Sequence, residues 1–383
     1  MKNPFAAVMR RATATTRAFS PLGATRMIQA ALSRAGGPAG GFKSGSMSGL
    51  WPKGRQTEAT LRGLLALQRL PSTEVQPNHA PADDAAFTTR SFVCTAGMRD
   101  YKLYCPAAAA SAPRGLIIML HGCTQNPDDF ATGTGMNILA ESHGLIVAYP
   151  AQTRAHNASG CWNWFQTGDQ VRDKGEPAIL AGIARELMAE FGLGREQVFI
   201  AGLSAGGAMS VIMAETYPDV FSAVGVHSGL PYQSASNVMS ALTAMRGRVA
   251  RHPANSAANP AANSAATSPV SQSTGHAPVR TIIFHGSADK TVHPSNAKGI
   301  ANDALLHLEG AMTATETGKT NGKGFARMII SDSNGCAIVE NWSIEGAGHA
   351  WSGGNRSGSF ADPHGPDASA EMVRFFLGKR HAG

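Results

Sequence analysis

The pentad Gly202-Leu203-Ser204-Ala205-Gly206 follows the apolar run Val198-Phe199-Ile200-Ala201 without a gap and opens directly into a helix-like stretch over 208–217. A strand that turns into a helix with no intervening loop forces its central residue into a strained backbone angle and crowds the positions two residues away. Glycine at 202 and 206 answers that crowding, and Gly207 extends the tolerance for close packing of helix on strand. Such a junction needs a sheet beneath it, and the flanking sequence supplies one.

From Phe92 onward, apolar runs alternate with helical patterns. Residues 92–106 read as an antiparallel pair, and 116–120 and 145–149 as buried strands. Residues 179–191 place Ile179, Leu180, Ile183, Leu187, Met188 and Phe191 on one helical face, entered at Glu176-Pro177 and ended at Gly192. Short buried strands follow at 223–226, 281–284 and 338–344. This alternation predicts an α/β chain with a mostly parallel central sheet and helices on both faces. Residues 247–279 break the rhythm with Ala, Asn, Ser and Pro, a composition that cannot bury enough surface to fold, and read as an exposed low-complexity insertion.

The chain of 383 residues is expected to hold one large domain over 88–383, preceded by a basic, partly disordered extension over 1–87 with short amphipathic helices. The first 55 residues carry nine Lys and Arg and no acid, which leaves the rest net −2 against +7 for the whole chain. Basicity confined to a tail argues against a body that binds nucleic acid. The basic segment suits contact with an acidic, lipidic or hydrophobic granule surface. Arg17 and Arg26 interrupt the one candidate apolar core for an export signal, so the expected location is cytoplasmic, with a secreted or periplasmic one as the alternative. The oligomeric state is left open.

The five cysteines are scattered, with no Cys-x-x-Cys pair, and no metal site is expected. Cys123 and Cys161 both fall in candidate site loops, where a bridge between them and two small buried thiols are both open.

A serine at such a turn is a weak nucleophile at neutral pH until a histidine takes its proton and a carboxylate fixes that histidine's tautomer. The carboxylate is expected at Asp289, in the loop directly after the strand at 281–284. The histidine is expected at His349, in the loop after the strand ending near Ile344. The order serine, acid, histidine and the placement at strand ends suit a doubly wound sheet. His293 and His364 follow no strand directly, and His285 reads as a packed, hydrogen-bonded histidine at a strand end. A tetrahedral intermediate also needs two backbone donors. These are expected to be the amides of Ala205 and of Cys123, the latter in the loop His121-Gly122-Cys123-Thr124-Gln125. No cofactor is required, because water is the second substrate.

These segments, with Cys161-Trp162-Asn163-Trp164-Phe165, Val292-His293-Pro294, Gly348-His349-Ala350-Trp351 and Asp362-Pro363-His364-Gly365-Pro366-Asp367, resemble the poly(3-hydroxybutyrate) depolymerase family of esterases over roughly 88–380. The resemblance implies the α/β-hydrolase fold, with Ser204, Asp289 and His349 as the triad and the Cys123 and Ala205 amides as the oxyanion hole. It implies hydrolysis of hydroxyalkanoate oligoesters or polyester, with feruloyl or acetyl xylan esters as the alternative; the basic N-terminal segment and an aromatic cleft give a third reading, a noncatalytic protein that coats a polymer granule. The resemblance also suggests that Trp162, Trp164 and Trp351 line the substrate cleft, a core role being the other reading. The added substrate-binding domain usual in secreted polymer-degrading members is not visible.

Overall fold

The computed structural model describes residues 86–109, 112–248, 278–305, 308 and 310–378. The expected extension lies outside the described residues except for its last two, and the insertion at 247–279 does so except at its ends.

In chain order the strands β1 (Ala86–Cys94), β2 (Gly97–Cys105) and β3 (Gly115–Leu120) come first, then helices α1 (Pro127–Thr134) and α2 (Met136–His143) and strand β4 (Leu145–Pro150). Helix α3 (Gly175–Phe191), β5 (Val198–Leu203), α4 (Ala205–Thr216), β6 (Ala223–His227), α5 (Val238–Met245) and β7 (Arg280–Gly286) follow. The chain continues through α6 (Ser295–Ala304), β8 (Met312–Thr320), β9 (Lys323–Ser331) and β10 (Ala337–Ile344), and closes with α7 (Ala368–Leu377).

Ten strands form one sheet in the order β1-β2-β4-β3-β5-β6-β7-β10-β9-β8. The six from β4 to β10 run parallel, and two antiparallel strands flank them on each side. The expectation of a mostly parallel sheet is met in this centre.

The buried strands show why both faces are covered. Successive side chains of a strand point to opposite faces, and Leu116, Ile118 and Leu120 of β3 join one apolar cluster while Ile117 and Met119 join another. The first cluster takes in α3 and α4, the second α1, α2 and α7. Gly192, with φ 64°, ends α3 in the left-handed region as the sequence predicted.

The order in which strands are added reverses at β3: β4 lies on one side of it and β5 on the other. A crevice outside the carboxyl ends of the strands is expected at such a switch point. The loop after β3 and the turn after β5 both end there, which places residues 121–125 beside Ser204.

The β8–β9 hairpin was not anticipated. Its two-residue turn is Asn321-Gly322, with φ of 44° and 81°, the conformation that Asn-Gly favours in a tight hairpin. β8 (Met312–Thr320) is exposed nearly throughout, so no apolar alternation marks it.

Candidate active site

Ser204 sits between β5 and α4 with φ 57° and ψ −116°, in the left-handed half of backbone space. A conformation of this kind costs about 1–3 kcal/mol in a non-glycine residue, and the surroundings hold it there. The Ser204 N–H donates to His227 O at 2.9 Å, and Ser204 O accepts from Ala208 N–H at 2.9 Å. A Cβ at Gly206 would stand 2.0 Å from Leu120 O, and one at Gly202 would stand 2.4 Å from the Gly206 carbonyl carbon. Both glycines are therefore demanded by backbone approach, as the pentad suggested.

The Asp289 side chain is fully buried in the loop after β7, where its Oδ2 accepts from His349 Nδ1 at 2.7 Å. Its Oδ1 accepts from the Thr291 and Val292 N–H groups, each at 2.9 Å. Burial pushes the Asp289 pKa up, but the hydrogen bond and charge of His349, then the charge of His285 and the Val292 amide, outweigh it, and the net direction is down. The carboxylate thus stays ionised where an unpartnered buried acid would take a proton. Donation from His349 Nδ1 leaves Nε2 of the neutral ring as the free base. His285 is packed as expected: its Nε2 donates to Val292 O at 2.8 Å and lies 3.5 Å from Asp289 Oδ2.

Ser204, Ala205 and Cys123 line a single cavity with Trp164, Phe165, Leu230, Met245 and Val292. Its volume is about 10 Å³, and its wall beyond the serine is apolar. The Ala205 and Cys123 N–H groups donate no hydrogen bond among the described residues. The Cys123 and Cys161 sulfurs are joined in a disulfide, which resolves the two readings left open. Ser204 Oγ makes no hydrogen bond among the described residues; contacts between nucleophile and base commonly tighten only when substrate is engaged.

The tryptophans part company. Trp164 lines the cavity. Trp162 and Trp351 do not, and the suggestion that they form cleft walls is corrected in favour of the core reading. Trp162 is buried with its indole N–H donating to His121 O at 3.0 Å. Trp351 is stacked on His227 and edge-on to Phe130, with its N–H on Ser369 Oγ at 3.0 Å. A buried indole needs an acceptor for its one N–H, and both found one inside the fold.

Two histidines were not recognised as parts of the site's frame. His227 ends β6 and His121 follows β3, on either side of the Ser204 strand. Each is fully enclosed, and each accepts a backbone N–H at Nε2, from Ser352 and Gln152 respectively, at 3.0 Å. Burial lowers the pKa of His121 to about 4 and that of His227 to about 3. A loop amide aimed at a strand-end histidine leaves no mark in a single sequence beyond the histidine itself.

A ten-stranded sheet with a strained serine at its switch point and an Asp–His pair on the loops after β7 and β10 defines an α/β-hydrolase. The family model for Esterase PHB depolymerase matches residues 99–326, more than half of the sequence, and the chain belongs to that family. The poly(3-hydroxyalkanoate) depolymerase C of Paucimonas lemoignei is 33% identical over 240 residues, 63% of this chain and 55% of that protein. The poly(3-hydroxybutyrate) depolymerase of Ralstonia pickettii is 27% identical over 270 residues, 66% of this chain and 51% of that protein. Acetylxylan esterase A of Talaromyces purpureogenus is 30% identical over 200 residues, 51% of this chain and 50% of that protein. The chain thus spans about half the length of the curated relatives it matches. The solved acetyl xylan esterase of Aspergillus awamori shares the fold, with TM-score 0.55 and 20% identity, over 76% of this chain and 98% of that one.

Proposed function

We propose that this chain is a serine carboxylic ester hydrolase that cleaves hydroxyalkanoate ester bonds, of the 3-hydroxybutyrate type, through an acyl-enzyme. The observation that carries the reading is the buried Asp289 hydrogen-bonded to His349, on loops of the same sheet edge that holds Ser204 in its strained turn. Ser204 Oγ attacks the ester carbonyl as His349 Nε2 takes its proton, and the Ala205 and Cys123 amides receive the oxyanion. His349 then returns the proton to the departing alkoxide, and water repeats the sequence to free the acid. Asp289 holds the ring in the Nδ1–H tautomer and stabilises its charged form.

Depolymerase relatives in the same family support the hydroxyalkanoate reading. A second reading, acetyl or feruloyl ester hydrolysis, is favoured by the acetylxylan esterase relative. Rates on hydroxybutyrate oligomers, acetylated xylan and methyl ferulate, measured side by side with Ser204→Ala as control, separate them. Fastest turnover of the oligomers supports the first reading, preference for acetylated xylan the second, and full turnover by Ser204→Ala removes both.

No helix among the described residues is long and apolar enough to cross a membrane. The Cys123–Cys161 disulfide supports the secreted or periplasmic alternative over the cytoplasmic one, since such bonds persist in oxidising compartments. Contact of the N-terminal extension with a granule concerns residues outside those described.

A further inference from the structure

The loop that carries the Cys123 amide rests on a buried polar cluster for which the reaction above has no role. Arg99 alternates with Tyr101 and Leu103 on the inward face of β2, so its guanidinium is carried into the core. There it donates from Nη1 to Gln152 Oε1 and from Nη2 to Glu176 Oε1 at 3.5 Å, and lies 5.5 Å from the Trp162 ring centre. Glu176, in the first turn of α3, accepts from Asn163 N–H at 2.7 Å, Asn163 Nδ2 at 2.9 Å and Gln152 Nε2 as well. Four donors converge on one buried carboxylate, a set that only the ionised form satisfies in full.

Gln152 links this cluster to the site. Its Nε2 also donates to Cys161 O at 2.8 Å, and its backbone N–H donates to His121 Nε2 at 3.0 Å. Because Nε2 accepts, the neutral ring carries its proton on Nδ1, and that proton is given to Gly122 O at 2.8 Å. In a trans peptide the carbonyl and the following N–H point in opposite directions. An imidazole that fixes the Gly122 carbonyl therefore also fixes the Cys123 N–H, aimed away from the ring. Trp162 clamps the same turn through His121 O at 3.0 Å.

We propose that Glu176, Gln152 and His121 form a positioning relay: Glu176 holds Gln152, the Gln152 backbone sets the tautomer of His121, and His121 aims the Cys123 amide at the oxyanion. The inference rests on the reading of that amide as an oxyanion donor. The groups facing Glu176 are Arg99 from β2, Asp169 from the turn at Thr167–Asp169 and Gln152 and Asn163 from the intervening loop. Burial, then the charge of Asp169, raises Glu176 to about 7 against the pull of Arg99. A proton there displaces one of the four donors, and a proton on His121 Nε2 would confront the Gln152 N–H. The relay therefore works with Glu176 ionised and His121 neutral.

The test compares wild type with Glu176→Gln, His121→Asn and His121→Leu in the full chain, using p-nitrophenyl butyrate and a trifluoromethyl ketone that captures the serine as an oxyanion. The relay predicts a kcat loss of about 10–100-fold in Glu176→Gln, with KM within about twofold and ketone affinity falling in step with kcat. It also predicts a shallower acid limb of the kcat profile in that variant, because one titrating group is gone. His121→Asn can still donate to Gly122 O and should keep more kcat than His121→Leu. Nitrogen-15 spectra of the wild-type histidines need no variant to fold: they should show His121 as a neutral Nδ1–H ring as the pH falls toward about 4. An Nε2–H ring, or a folded Glu176→Gln with unchanged kcat and ketone affinity, overturns the relay. A wild type inert on every ester would instead remove the functional reading beneath it.

Discussion

On one side of Ser204 stands His227, at the end of β6; on the other stands His121, just past the end of β3. Both rings are buried, neutral and hydrogen-bonded to a distant loop amide through Nε2. The surroundings differ. The His227 side leads to Ser352, just past His349, and His349 meets Asp289 from the loop after β7, a carboxylate that also accepts two amides of its own loop. The His121 side leads to Gln152, Arg99 and Glu176, drawn from three further segments and tied to a disulfide. The first wall is built from side chains that follow strands within a few residues; the second draws on a strand interior, a loop and a helix entrance.

The largest effect should fall on the proton-moving wall. Asp289→Asn keeps the shape but offers His349 an amide in place of a carboxylate, and kcat should drop by about 10³–10⁴-fold with KM little changed, as the steady-state kinetics of the purified variant would show. A loss under tenfold would mean that the pair orients nothing the reaction needs.

The amide wall should answer first in stability. The Cys123–Cys161 bridge closes a separation of 38 residues, and the chain-entropy model gives such a link about 4 kcal/mol. The Cys123→Ser/Cys161→Ser double variant should lose urea stability on that scale, and its kcat should fall further than the same pair of substitutions at the free Cys94 and Cys105 would cause. Equal behaviour of the two double variants would separate the bridge from the wall it is said to hold.

Acid should distinguish the walls most finely. A histidine whose folded pKa lies below its unfolded 6.5 takes up a proton first in the unfolded chain, so stability is full above 6.5 and declines as pH falls toward the folded value. His227, lowered to about 3, contributes this decline across the whole window. His121 contributes it down to about 4, but Glu176, raised from 4.5 to about 7, has the opposite sign between those two values and offsets it. Urea titrations between pH 6.5 and 5 should therefore show wild-type stability falling, and the fall should be smaller in His227→Gln by about 1 kcal/mol per pH unit. Identical slopes would contradict the buried neutral state of His227.

The same contrast explains what the sequence disclosed. Ser204, Asp289 and His349 each follow a strand within a few residues, so local pattern and chain order located them. The parallel centre was legible because its strands are apolar on both faces. Glu176 read only as a helix entrance and Arg99 only as one position of the antiparallel pair at 92–106, since their roles come from the buried partners they meet and not from a place directly after a strand. Trp162 and Trp351 misled because motif proximity does not say which way an indole faces. β8 lacked an apolar face, although Asn321-Gly322 was a usable turn signal.

The proposed chemistry requires Ser204 to accept the acyl group while His349 takes and returns its proton and Asp289 holds the ring. Rapid mixing with excess p-nitrophenyl butyrate, followed by acid quench and peptide mass spectrometry, tests it directly. A burst of about one p-nitrophenolate per chain is expected if deacylation is the slower step, with a butyryl group on the peptide containing Ser204. Undiminished turnover with the acyl group on another residue, or on none after Ser204→Ala, would contradict it.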